Sequence, residues 1–253
     1  MMMTTSSSTY LNKTQIFENS SGSSGGAVAV VDNANPFIEH SRIMSNTGNN
    51  GVGVYCTDSA NVTLSNVILK DHVAPGSTGG IYASNNASVY LNDCILQNNL
   101  GHALGGALHL QDFVSASLNR CSFRVCIVFT TSLSHKVQNN SASEGGAIYT
   151  NSRGSELQIS DSLFSGNYAE YVGGSITLQE SSSANIRNSV FHDNYAQFGG
   201  SFQMQDHALC LMQQCTMYNS NCLQYGGALA VLGFSSLSAT TVTLRCGTKK
   251  INQ

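Results

Sequence analysis

The side chains of this 253-residue chain that could do chemistry are its aspartates, seven histidines and eight cysteines. Eliminative cleavage of an acidic polysaccharide needs a cluster of aspartates holding calcium beside an arginine base. Glycoside hydrolysis needs two or three close carboxylates, one of them protonated. Asp32, Asp58, Asp71, Asp93, Asp112, Asp161, Asp193 and Asp206 instead fall singly along the chain. Asp93 and Asp161 share a position relative to the apolar residues that follow them, yet stand more than one repeat apart. The histidines (His40, His72, His102, His109, His135, His192, His207) share no column, and each reads as a solvated polar side chain. No CxxC pair or Cys/His cluster has zinc spacing. The expectation is an absence of catalytic residues, metal and cofactor.

What must position any site is a repeat. Glycine pairs return about every 27 residues, at Gly25-Gly26, Gly79-Gly80, Gly105-Gly106, Gly145-Gly146, Gly173-Gly174, Gly199-Gly200 and Gly226-Gly227, with a degenerate copy at Gly51-Val52-Gly53. Between the pairs runs a second marker, clearest as Phe164-x-x-Asn167 and Phe191-x-x-Asn194. Its apolar column reads Ile16, Ile43, Ile68, Leu96, Phe123, Phe164, Phe191, Met217. Two residues earlier stand Thr14, Ser41, Asn66, Cys94, Cys121, Ser162, Ser189, Cys215, and three residues later Asn19, Asn46, Asp71, Asn99, Asn140, Asn167, Asn194, Ser220. A fixed period of this length means stacked copies of one unit.

After each glycine pair the side chains alternate. Ile176 and Leu178 fall on one face, and Ser175, Thr177 and Gln179 on the other. Period two means strand, with one dry and one wet face. No 3.6-residue pattern of useful length competes. Each coil is therefore a strand after the glycines, a polar corner, a strand through the apolar column and a turn. The fold class predicted is all-β: a right-handed parallel β-helix of about eight rungs, about 27 residues per rung. At ~4.8 Å between strands, eight rungs make a rod on the order of 40 Å long. Outward positions His109, Tyr149, Thr177, Gln203 and Ala230 vary too much for a regular threonine face and suit a sugar- or protein-binding surface, or equally a passive spacer.

Composition excludes other classes. Only 10% of residues are charged and the net charge is −3, so the basic footprint of a nucleic-acid binder is lacking. No apolar run reaches the ~18 residues that a membrane-crossing helix requires.

The tetrapeptides Gly25-Gly26-Ala27-Val28, Gly105-Gly106-Ala107-Leu108, Gly145-Gly146-Ala147-Ile148 and Gly226-Gly227-Ala228-Leu229, alternating with Phe164-x-x-Asn167 and Phe191-x-x-Asn194, resemble the GGA[ILV] and FxxN repeats of the polymorphic outer-membrane proteins of Chlamydia. The resemblance runs over nearly the whole chain. It implies a right-handed parallel β-helix of the pectin-lyase-like type, displayed at a cell surface and used for adhesion. Similar repeats occur in large surface proteins of microbial eukaryotes.

The domain reading is a poorly ordered segment 1–13, one β-helix domain 14–246 and a tail 247–253. Met1 to Ser8 lacks the basic start and apolar core of a secretion signal, and the last coil stops soon after Leu244, which reads as a fragment or a mispredicted gene model. Open strand edges at both ends would permit end-to-end self-association. One interval in the apolar column is 41 residues instead of 27. Excising 125–138 restores the period and joins Phe123-Arg124 to Asn139-Asn140, so this insertion is either a retained intron or a genuine loop. Cys94, Cys121 and Cys215 share a column with Ser162 and Ser189 and read as small inward side chains, Cys94 and Cys121 standing near enough to bridge. N-x-[ST] sequons occur at Asn12, Asn19, Asn61, Asn86 and Asn139, with Asn86 and Asn61 the candidate glycosylation sites.

Functionally, these features point to a non-catalytic extracellular or cell-surface module, adhesin-like or structural, binding a glycan or protein along the β-helix face. The alternative is a polysaccharide-active β-helix enzyme of the pectate lyase or polygalacturonase kind, or an inactive relative of one.

Overall fold

The computed structural model of the chain describes residues 1–4, 6–124 and 141–245. Among them there is no helix; the strands form four parallel sheets stacked as a solenoid. One coil shows how the sequence does this. Glu156–Ser160 runs in sheet II, Asp161 turns the chain at φ 51°, and Leu163–Ser165 runs in sheet III. Gly166, at φ 64°, turns it again; Asn167 and Tyr168–Val172, in sheet IV, lead to the glycine corner, and Ile176–Gln179 lies in sheet I. Glu180 and Ser181, both with positive φ, close the circuit into the next coil. Sheets I, II and III each have nine strands, and sheet IV has six. Strands this short cannot enclose a core alone, so each coil buries its apolar residues against the coils above and below.

The repeat markers have separate physical duties. Gly173 takes φ 60°, where a side chain is strained. Gly174 is required for space, since a Cβ there would lie 2.1 Å from the carbonyl oxygen of Gly200. Phe123, Phe164 and Phe191 are register partners on successive coils, fully buried, with ring centroids 4.7 Å apart at each step. Asn194 Oδ1 accepts from the backbone N–H of Asn167 at 2.9 Å and from its Nδ2 at 3.0 Å, while Asn194 Nδ2 donates to the carbonyl of Phe164 at 3.2 Å. Asn46 makes the same pattern with Asn19 and Ile16. The asparagines are thus a bonded ladder down the rod, satisfying amides that the turn strips from the sheets.

Pairing moves the third coil by one residue relative to the sequence reading. Leu69, not Ile68, lies between Ile43 and Leu96 in the apolar column. The small position is accordingly Val67 instead of Asn66, and the ladder position is His72 instead of Asp71. Ile68 faces outward, and Asp71 sits at the positive-φ corner. An apolar doublet, Ile68-Leu69, left the inward residue undetermined by pattern alone. The glycine pair of the following coil is shifted as well. Gly80 holds the place that Ala107 holds one coil later, and the first corner position is Thr78, whose φ is not positive.

The strands begin earlier than the domain reading placed them. Met2–Met3 pairs with Val28–Val30 in sheet I, and Tyr10–Asn12 opens sheet II, so segment 1–13 carries solenoid strands. The insertion 125–138 and the tail 247–253 lie outside the described residues, as do Asn139 and Asn140. The pairing that flanks the insertion is unaffected by it. Arg124 pairs with Ser165 and Ser141 with Tyr168; two residues separate Ser165 from Tyr168 and sixteen separate Arg124 from Ser141, an excess of fourteen.

Candidate functional site

The outer face of sheet I, expected to be wet, is closed from His109 to Gln203 and half-buried at Tyr55 and Tyr82. His109, Tyr149, Thr177 and Gln203 are buried, as are Ala107, Ser175, Ser201 and Gln179. Past the double-glycine corner, the ends of sheet IV strands reach this face at Val172 and Glu144. Thr177 Oγ1 donates to the carbonyl of Val172 at 3.0 Å, and Gln179 Nε2 to Glu144 Oε2 at 2.7 Å. Beneath this cover runs an aromatic file, with Tyr55 stacked on Tyr82 at 5.4 Å, then edge-on contacts from Tyr82 to His109 and from His109 to Tyr149. Three of the four rings reach diagonally to an amide on the next coil: Tyr82 to Gln111 at 3.1 Å, His109 to Asn151 at 3.2 Å and Tyr149 to Gln179 at 2.8 Å. The variation in this column therefore reflects packing within a second, amphipathic core and not a ligand surface.

Two histidines are likewise not solvated. His72 is fully buried in the asparagine ladder, where its Nδ1 accepts from the N–H of Asn46 at 3.2 Å. Burial holds both His72 and His109 neutral, with pKa values lowered to about 4. Sequence reasoning missed these because the one-residue shift of the third coil hid the ladder position of His72, and alternation alone gave His109 to the wet face.

The carboxylates are engaged on exposed corners. Arg120 stands on the coil between Asp93 and Asp161, and its guanidinium takes Asp93 in both hands, Nε to Oδ1 at 2.7 Å and Nη2 to Oδ2 at 2.6 Å. This bidentate pair holds the Asp93 carboxyl below the usual range. Asp161 accepts from Asn188 Nδ2 at 3.3 Å. Asp93 and Asp161 are thus brought into one column, as their shared position predicts, with a cation between them. Elsewhere Ser165, His192 and Asp193 assemble residue types known from nucleophilic catalysis. His192 Nδ1 lies 2.7 Å from Asp193 Oδ2 and Ser165 is the register partner of His192. The imidazole, however, lies flat on Tyr218 at 5.0 Å, and no hydrogen bond joins it to Ser165.

Cys94, Cys121 and Cys215 are buried free thiols whose Sγ atoms donate to carbonyls two residues back, at 3.3 to 3.4 Å. Ser162 and Ser189 make the same bond through Oγ. The neighbouring Cys121 thiol and burial both raise the Cys94 thiol. Among the described residues no three His, Cys, Asp or Glu side chains gather as a metal site. Of the candidate sequons, Asn86 is exposed at a positive-φ corner, whereas Asn61 is half-buried and donates Nδ2 to Asn35 Oδ1 at 2.7 Å.

The outward faces of sheets II and III remain open to a ligand, a depression of ≈ 380 Å³ lying among Arg42, Met44, Ile68, Lys70, Ile95 and Gln97 of sheet III, and the longer strands are those of sheet II. Its strands are five residues long through most of the rod and pair without a register shift from Asn61–Ser65 to Ser236–Thr240. Their outward columns present amides and hydroxyls: Thr63, Tyr90, Ser117, Gln158 and Asn185 in one, Ser65, Asn92, Asn119, Ser160 and Arg187 in the next. A depression of ≈ 230 Å³ lies among Ser117, Gln158, Ile159, Ser160, Asn185 and Arg187.

Parallel coils, a bonded asparagine ladder and a glycine corner define a β-solenoid repeat protein. Residues 137–151 match the model of the Chlamydia polymorphic membrane protein repeat. The match covers one glycine corner, Gly145-Gly146, and the strand after it, and the same unit recurs along the rod. That repeat is a feature of surface membrane proteins, which supports a surface setting in coarse terms. No helix among the described residues is long and apolar enough to cross a membrane. No curated protein and no solved structure was found to match the chain.

Proposed function

We propose that this chain is a non-catalytic module of a cell-surface or extracellular protein, a rigid rod that works in adhesion or as structure and engages its partner through an outward sheet face. The observation that carries this reading is the unbroken register of sheet II. A rod whose coils repeat at a fixed spacing holds polar side chains in fixed rows, and such a surface binds without conformational loss. The matched repeat supports placement at a surface. Asp93, the strongest candidate for a polysaccharide-cleaving carboxylate, is tied to Arg120, which supports a binding over a cleaving role.

Attachment of rod-coated beads to cultured epithelial cells, against beads coated with an unrelated β-helix, tests the reading. Specific, saturable attachment blocked by free rod is the expected result; equal attachment by both bead types would sink the adhesive role. Cleavage of pectate by the purified chain, lost on Asp93→Asn or Asp161→Asn, would establish the enzymatic alternative instead.

A further inference from the structure

Within the outward face of sheet II, and resting on the binding role proposed above, we infer that the depression between Tyr90 and Arg187 is a site for a carboxylate-bearing sugar, with Arg187 clasping the carboxylate and the neighbouring amides and hydroxyls holding the ring. Register fixes the layout. Tyr90, Ser117, Gln158 and Asn185 occupy one column on four successive coils, and Asn119, Ser160 and Arg187 the adjacent column. Ser117 and Ser160 are small, which opens the ≈ 230 Å³ depression, and Gln158 and Asn185 stand along its length. Tyr90, 41% exposed, lies one coil beyond Ser117 and offers a ring on which the apolar face of a sugar can lie.

Charge selects the ligand. Lys70 is paired with Asp71 and Arg120 with Asp93, but among the described residues Arg187 has no carboxylate partner. Its Nε is oriented by Asn185 Oδ1 at 3.2 Å, which leaves the terminal nitrogens free to bind. A guanidinium pre-oriented on a rigid strand and not neutralised by the chain is suited to bidentate binding of a planar carboxylate. The rest of the site is uncharged. Gln158 is exposed and its side chain makes no hydrogen bond, so the amide donor and acceptor are both available. Ser160 Oγ donates to Asn119 Oδ1 at 3.0 Å and keeps its lone pairs for a sugar hydroxyl. Amides and hydroxyls both give and take hydrogen bonds, which matches a polyol, whereas a protein partner of this area would call for an exposed apolar centre. Strand spacing of ~4.8 Å is also close to the length of one pyranose. An acidic disaccharide lying along the rod axis therefore spans the coils from Ser117 to Arg187.

The test titrates the full chain, by chemical-shift perturbation and calorimetry, with a digalacturonate, sialyllactose, lactose, acetate and sulfate. The two acidic sugars separate the two common sources of a sugar carboxylate. Expected are binding of one or both, lactose weaker by on the order of tenfold or more, and acetate and sulfate failing to compete at equal concentration. Arg187→Gln removes the preference for acidic over neutral sugar, Arg187→Lys keeps only part of it, and Gln158→Ala weakens all sugars alike. Equal binding of lactose and the acidic sugars, unchanged binding by Arg187→Gln, or full competition by sulfate overturns the inference. Arg187 is exposed, so unchanged melting of its variants excludes misfolding. Cell attachment that survives Arg187→Gln leaves the adhesive role standing without this site; acidic-sugar binding without cell attachment does the reverse.

Discussion

His72 occupies, inside its coil, the space that a side chain on Gly53 would fill: a Cβ built on Gly53 lies 3.0 Å from both Cδ2 and Nε2 of the imidazole. On other coils this corner position carries Ala27, Gly80, Ala107 or Ala147. Gly53 therefore leaves room for the imidazole in the ladder. Gly53→Ala is expected to destabilise the chain by about 1–3 kcal/mol through overpacking. His72→Asn should relieve it, giving a coupling of about 1 kcal/mol or more in a double-mutant cycle by urea unfolding. Additive effects would show that the two sites do not share this space.

Acid should loosen the rod in a defined window. His72 and His109 have folded pKa values lowered to about 4, against about 6.5 for an unfolded histidine. Between those values the unfolded chain binds protons that the folded chain refuses, so stability is full above pH 6.5, falls as pH drops and levels near pH 4. The loss is on the order of 3 kcal/mol for each histidine. Unfolding free energy measured from pH 7.5 to 4.5 should show this slope, and the double variant His72→Asn, His109→Gln should flatten it. A slope unchanged by the double variant would assign the acid effect to carboxylates.

The asparagine ladder predicts a gradient along the rod. Asn194→Ala strands the N–H of Asn167 and the carbonyl of Phe164, both buried, and should cost about 3 kcal/mol. Asn19 is exposed at the outer end of the ladder, and Asn19→Ala should cost less than about 1 kcal/mol. Thermal melts of the two variants side by side distinguish a bonded ladder from an accidental alignment, for which both would behave alike.

Deleting 125–138 should leave the solenoid intact. Phe123 already stacks on Phe164 and Ser141 already pairs with Tyr168 on either side of the insertion. The shortened chain joins Arg124 to Asn139 with the spacing of its neighbours, and a shorter connection costs less closure entropy. A melting temperature equal to or above that of the full chain is expected. Loss of cooperative unfolding would show that the fourteen residues are part of the fold.

The period, the strand alternation and the glycine corners were legible in the chain, because in a solenoid each coil meets only its neighbours and the same contacts must be solved again at every turn. Phe123, Phe164 and Phe191 could be stacked on paper for that reason, and the length of the insertion counted. Three things needed the tertiary structure. Ile68-Leu69 offered two apolar residues for one inward place, and only pairing with Ile43 and Leu96 chose Leu69. Alternation alone gave the outer face of sheet I to solvent, since nothing local encodes how sharply Gly173-Gly174 turns; it is that angle which buries Thr177, Gln203 and His109 under sheet IV. Arg187, Gln158 and Tyr90 lie far apart in sequence among many polar residues, and become one surface only when parallel pairing sets four coils in register.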